Sequence, residues 1–149
     1  MHINRYTTIQ PEILELCTFY IGDHQFGINI LKVQEINKNP PITTVPQSQK
    51  FIVGVMNLRG RIVTVIDLTA KLGLEFTAPG RDNRTIIVNS QDEYIGLRVD
   101  RIGDVVPVKT ANVEPPPVNI DDVLGNFAEG VLKTDTGLIG ILDVEAVLA

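Results

Sequence analysis

The side chains of this chain that could do covalent or metal chemistry are few, and their spacing argues against it. The two histidines are His2, close to the N-terminus, and His24, in the polar stretch "GDHQ". Neither has Cys or His partners at metal-ligand spacing. Cys17 is the single cysteine, so no internal disulfide can form, and its neighbours in "ELCTFYI" are apolar. That is the setting of a packed thiol, because a nucleophilic cysteine needs an electropositive, accessible environment. Asp121 and Asp122 offer a carboxylate pair, but "IDDVLGN" reads as a short helix, on which successive side chains do not face each other. The chain has no G-x-S-x-G elbow and no Gly-rich loop leading from a strand into a helix. Neither an enzyme, a cofactor nor a metal is expected. The suggestive residue is Arg59, in "NLRGRIVTVIDL". It could be a solvated turn residue, a catalytic group, or the charged anchor of a surface that grips another protein.

The elements that hold these residues repeat. "GINILKVQEI", Gly27 to Ile36, lies over "GLRVDRIGDV", Gly96 to Val105, with Glu35 and Asp104 in one slot. Further along, "FIVGVMNLRGRIVTVIDLTAKL" lies over "FAEGVLKTDTGLIGILDVEAVL". Phe51 then meets Phe127, Gly54 meets Gly130, Val55 meets Val131 and Asp67 meets Asp143. Two ordered blocks with matching Gly, Asp and apolar positions indicate an internal duplication. The repeats cover about residues 12–80 and 81–149, with strands free to cross between them.

Within each repeat the local signals are for strands. "ELCTFYIG" and "NRTIIVNS" are rich in β-branched and aromatic residues and run into turn-like segments. After Ile30 the alternation slips, since Leu31 and Val33 continue the apolar series out of phase, which calls for a bulge or bend. "VGVMNL" and "RIVTVI" form a hairpin that turns at Arg59-Gly60, with Gly60 supplying the positive φ. Asp67 and Asp143 each end a strand and open a short helical stretch, as N-caps that satisfy free backbone donors. The proline-rich segments between blocks are loops or edges. Many short strands with little helix point to small barrels, and closing each sheet would remove its sticky edges.

The totals agree. A chain of 149 residues can bury about two thirds of its unfolded surface without disulfides or metal. Its net charge of −5, with no basic run, makes it a poor candidate for binding nucleic acid or an anionic membrane surface. No signal peptide or membrane-length apolar run is present, so a cytoplasmic protein without direct membrane insertion is expected. Beyond the bulge, Val33 and Ile36 and their counterparts Ile102 and Val105 need not all point inward. Exposed apolar residues beside single charges are the composition of a protein-binding surface.

"FGINILKVQEI", "GVMNLRGRIVTVIDL" and "GLRVDRIGDVV", in this order, resemble the CheW-type chemotaxis coupling proteins over about residues 14–148. One departure is Thr64, where that family often has proline; a proline would mark an edge position, and threonine fills a strand well. The resemblance implies a single CheW-like domain over residues 1–149, made of two five-stranded SH3-like β-barrel subdomains with a groove between them. It implies a non-catalytic adaptor between the cytoplasmic helical hairpin of a chemoreceptor and the regulatory domain of the CheA histidine kinase. An adaptor of a non-motility signalling array is the alternative. Carried over residue by residue, Val33, Glu35, Ile36 and Arg59 fall on the receptor groove, with Val99, Ile102 and Val105 as the facing apolar wall. Kinase contacts are not placed by any motif. The same domain occurs fused to a receiver or at the end of the kinase; with no receiver pattern here, a stand-alone module is expected.

Overall fold

A computed structural model describes residues 13–46, 49–75, 79–116 and 126–148. Asp121, Asp122 and nearly all of the expected "IDDVLGN" helix lie outside them. Among the described residues ten strands follow one another: β1 (Ile13–Ile21), β2 (His24–Asn29), β3 (Val33–Lys38), β4 (Ile52–Leu58), β5 (Arg61–Asp67), β6 (Arg84–Ser90), β7 (Glu93–Val99), β8 (Arg101–Lys109), β9 (Ala128–Thr134) and β10 (Gly137–Leu142). Two short helices, α1 (Leu68–Lys71) and α2 (Val144–Leu148), follow β5 and β10.

The sheet orders display the duplication. One sheet runs β3-β6-β7-β5-β4 and the other β8-β1-β2-β10-β9. Substituting β6–β10 for β1–β5, and the reverse, turns one order into the other. The sheets are therefore not the sequence halves: each takes a hairpin from one repeat and three strands from the other. Below, the β3-β6-β7-β5-β4 unit is barrel 1 and the β8-β1-β2-β10-β9 unit is barrel 2.

Equivalent residues do equivalent work. Gly27 lies between Thr18 and Ile141, and Gly96 lies between Ile87 and Val65, the same repeat positions. Each barrel closes where the chain beyond β3 or β8 returns to β4 or β9: Thr43 bridges to Val55 and Glu114 to Val131, each by two backbone hydrogen bonds of 2.8–2.9 Å. The glycines before these valines, Gly54 and Gly130, make room for that crossing. A Cβ at Gly54 would collide with the Thr43 carbonyl oxygen, and one at Gly130 with the Val113 side chain. Both expected caps form. Asp67 Oδ1 accepts from the Thr69 amide at 3.1 Å, and Asp143 Oδ1 accepts from the Glu145 amide at 3.0 Å.

Three cores hold the chain together. Met56, Leu58, Val63, Val65 and Ile87 fill barrel 1, and Leu16, Val108, Ile139 and Ile141 fill barrel 2. The largest cluster is shared, drawing Phe19, Phe26 and Leu142 from barrel 2 and Ile66, Ile86 and Leu97 from barrel 1. Strand β6 explains how: Ile86 and Val88 face the shared core while Ile87 faces barrel 1, so the strand reads as a continuous apolar run. Cys17 is buried, and burial pushes its thiol above the usual range, which suppresses the reactive thiolate. Thr64 is not at an edge. It pairs with Val55 on one side and Ile95 on the other, inside a strand flanked by β4 and β7.

Candidate protein-docking surface

The β4–β5 hairpin pairs Leu58 with Arg61 and leaves a two-residue loop. Both loop residues take positive φ, Arg59 at +49° and Gly60 at +87°. This is the type I′ pattern, which follows the strand twist but demands left-handed backbone at both positions. Sequence reasoning gave that conformation to Gly60 alone, although the two-residue spacing already required it of Arg59. Asn57 Oδ1 accepts from the Gly60 amide at 2.8 Å and steadies the turn. An arginine in the left-handed region is disfavoured relative to Gly or Asn, so its presence calls for a role that its side chain performs.

That side chain is not free in solvent, as a turn residue would be. Arg59 Nη2 donates to Glu35 Oε2 at 2.5 Å, with Arg59 largely exposed and Glu35 mostly covered. The Glu35 carboxylate holds the guanidinium still more firmly protonated.

The expected bend delivers Glu35 to this point. Asn29 Oδ1 accepts from the Leu31 amide at 3.0 Å and opens a single 3-10 turn over Ile30–Lys32. A bulge in β3 follows: Val33 pairs with Val88, Gln34 is skipped, Glu35 pairs with Ile87 and Ile36 with Ile86. Directly paired residues point to the same face. The extra residue therefore returns Ile36 to the face of Val33, above the shared core, and turns Glu35 to the side of Ile87 and barrel 1. Without the bulge, strict alternation would set Val33 and Glu35 on one face and Ile36 on the other.

The second repeat copies this device. Ile102 pairs with Phe19 and Val105 with Cys17, leaving Gly103 and Asp104 opposite Thr18. The Thr18 hydroxyl donates to the Asp104 carbonyl at 2.5 Å and pins the bulge. Val33 and Ile102, equivalent in the repeat, both pack half-buried against the shared core. Ile36 and Val105, also equivalent, stand 41% and 50% exposed. Val99 departs from the expectation. It is 1% exposed and belongs to the shared core, so it supports a surface from beneath and cannot line one. The signal was present: Ile95, Leu97 and Val99 alternate with Gly96 and Arg98 along β7 and share the face that packs on the shared core.

Among the exposed apolar residues that were missed are Ile62 and Leu31. Ile62, 70% exposed, follows Arg61 on β5, and Leu31, 87% exposed, lies in the 3-10 turn ahead of β3. The signal for Ile62 was present: Val63 and Val65 are the inward phase of β5, so an isoleucine at 62 points out. Arg61 itself stacks over the Tyr94 ring at 4.1 Å. Among the described residues no group of three His, Cys, Asp or Glu side chains could hold a metal ion. No helix there is long and apolar enough to cross a membrane.

Fold and surface together define a class: a duplicated double-barrel domain whose charged side chains pair and cap, and whose exposed residues suit contact with another protein. The family profile for the CheW-like domain matches residues 15–149. A probable chemotaxis protein CheW from Rhizobium etli is 35% identical over 135 residues, spanning 91% of this chain and 87% of that protein. The chemotaxis protein CheW of Helicobacter pylori is 34% identical over 137 residues, spanning 92% and 82%. The crystal structure of the scaffolding protein TtCheW from Thermoanaerobacter tengcongensis matches with a TM-score of 0.81 at 35% identity, covering 90% of each chain. The chain belongs to the CheW-like family of chemotaxis proteins.

Proposed function

We propose that this chain is a non-catalytic adaptor that couples the cytoplasmic helical hairpin of a chemoreceptor to the regulatory domain of the CheA histidine kinase. A receptor helix lies against the apolar residues Val33, Ile36, Ile102 and Val105, and Glu35 with Arg59 fixes its register. Helix-in-groove recognition needs an apolar trough with a few charges at its margin. The observation that carries the reading is the pairing of exposed Ile36 and Val105 at equivalent repeat positions, with the Glu35–Arg59 pair beside the first. A charge held by a neighbour rather than by bulk water costs less ordering when a partner arrives.

The test is a three-component binding assay with a purified receptor-tip hairpin, the kinase regulatory domain and this protein. The expected result is a ternary complex in which Arg59→Ala weakens receptor capture and leaves kinase capture intact. Failure to bind either component overturns the proposal.

A further inference from the structure

The two repeats differ at one built position, and the difference identifies a ligand chemistry. In barrel 1, β5 runs parallel to β7 with Asp67 beside Arg98, and Arg98 Nη2 donates to Asp67 Oδ2 at 3.1 Å. Both side chains are mostly covered. In barrel 2 the equivalents are Asp143 and Asn29. The Asn29 side chain is turned onto its own chain, where it accepts from the Leu31 amide. Where barrel 1 has its arginine, a cavity of about 190 Å³ opens, lined by Asn29, Lys32, Glu129, Leu142, Asp143 and Glu145. A water molecule takes about 30 Å³, so the space suits a side chain rather than one ordered water.

The charges around it are unbalanced. Three carboxylates, Glu129, Asp143 and Glu145, face the single ammonium of Lys32, which is engaged with Glu145 at 3.3 Å. Burial and the neighbouring Asp143 charge hold the Glu129 carboxyl above its ordinary range. In barrel 1 the positions of Glu129 and Glu145 are the neutral Val53 and Thr69. Barrel 2 thus keeps the aspartate, gains two carboxylates and lacks the arginine.

We propose that this cavity is a socket for the guanidinium of an arginine carried by a protein partner, seated as Arg98 is seated on Asp67. A planar guanidinium can donate to two carboxylates at once, which a lysine ammonium does less well. Free arginine gains nothing beyond its guanidinium, because its α-carboxylate offsets its α-ammonium at the acidic rim. The socket stands apart from the docking surface above, and its failure would leave the adaptor proposal untouched.

The test follows carboxyl carbons of glutamate-labelled protein by NMR during titration with ethylguanidinium, a guanidinium that carries no other charge. The expected result is a saturable shift at Glu129 and Glu145 that sodium chloride at matched ionic strength does not reproduce. Asn29→Arg, which fills the cavity from within, should abolish the response, whereas Asn29→Ala, which loses the same turn cap, should keep it. Should Asn29→Arg fail to fold, Glu129→Gln serves instead, with the Glu145 response expected to weaken severalfold. No saturable shift, or an equal shift when the cavity is filled or Glu129 is neutralised, overturns the socket. Free arginine binding more tightly than ethylguanidinium overturns the assignment to a protein-borne side chain.

Discussion

The two barrels share a strand order, a closing bridge and a helix cap, yet their hairpin tips carry opposite charge. Barrel 1 sets Arg59 at its tip against Glu35; the same repeat positions in barrel 2 hold Asp135 and Asp104. The backbone differs too. Arg59 and Gly60 are both left-handed, whereas Asp135 and Thr136 have negative φ and the positive value falls on Gly137. Barrel 2 folds with two acids where barrel 1 has an ion pair, so the fold does not need the pair. The strand order, closing bridges and caps common to both barrels serve folding. The charge pair confined to barrel 1 is therefore available to a partner.

The shared features should show the largest effects, and the two closing glycines sharpen the comparison first. At Gly54 a new Cβ meets backbone, the Thr43 carbonyl, which is fixed by its bridge to Val55. At Gly130 the nearest obstacle is a methyl of Val113, which packs against the barrel 2 core, and the Glu114 carbonyl stands off at 3.1 Å, so the backbone is less crowded than at Gly54. Gly54→Ala should cost about 2–4 kcal/mol or prevent folding, and Gly130→Ala about 1 kcal/mol. Urea denaturation of both variants checks this. Equal losses would mean that barrel closure is not governed by these crossings.

The exposed pair tests whether both barrels contribute to one surface. Ile36→Asp and Val105→Asp each alter a residue about half in solvent, so each should shift stability by no more than about 0.5 kcal/mol. Each should weaken receptor-tip binding on the order of tenfold to a hundredfold if a helix lies across both. If only Ile36→Asp weakens it, the surface belongs to barrel 1 alone and the shared-groove proposal falls.

Arg59→Gly separates the turn from the charge. Glycine takes the left-handed turn conformation without a Cβ penalty, so this variant should melt at or above the parent temperature despite losing the Glu35 contact. Receptor binding should fall on the order of tenfold or more. A variant that melts early would make Arg59 a structural residue. One that binds like the parent would make it an ordinary turn residue.

What the sequence made legible follows from the range of the interactions. Gly27 with Gly96 and Asp67 with Asp143 record close approaches and caps that span a few residues, so the duplication, the hairpins and both caps could be read directly. The exchange of hairpins between barrels depends on long-range pairing, β1 with β8 and β3 with β6, which local patterns do not encode. The slip after Ile30 was visible, but its placement at Gln34 decides which face Glu35 takes, and that rests on the register with β6. The Arg59–Glu35 contact therefore stayed hidden although both residues had been singled out. Val99 was misplaced because its place came from the family resemblance, whereas the alternation of Ile95, Leu97 and Val99 with Gly96 and Arg98 already turned it inward.

The smallest effect concerns pH, and it belongs to barrel 2, since Val53 and Thr69 replace its two unusual carboxyls in barrel 1. Glu145 accepts from the Ser90 hydroxyl and the Lys32 ammonium, and these partners hold its carboxyl below the ordinary range. Glu129 is held above that range by burial and by Asp143. The two signs oppose one another. A carboxyl depressed by folding contributes stability above its unfolded pKa and loses it as pH falls through the folded value. A carboxyl raised by folding contributes stability at low pH and loses it as pH rises through the folded value. Glu145→Gln should therefore destabilise the protein at neutral pH, with the difference from the parent vanishing in strong acid. Glu129→Gln should stabilise it at neutral pH by a few tenths of a kcal/mol, about the scale of a partly solvated charge, with the gain shrinking as acid protonates the parent's glutamate. Melting curves for parent and both variants from pH 3 to 7 give the comparison directly. Parallel profiles, or Glu129→Gln less stable than the parent at neutral pH, would show that the carboxylates of barrel 2 are already balanced by the fold.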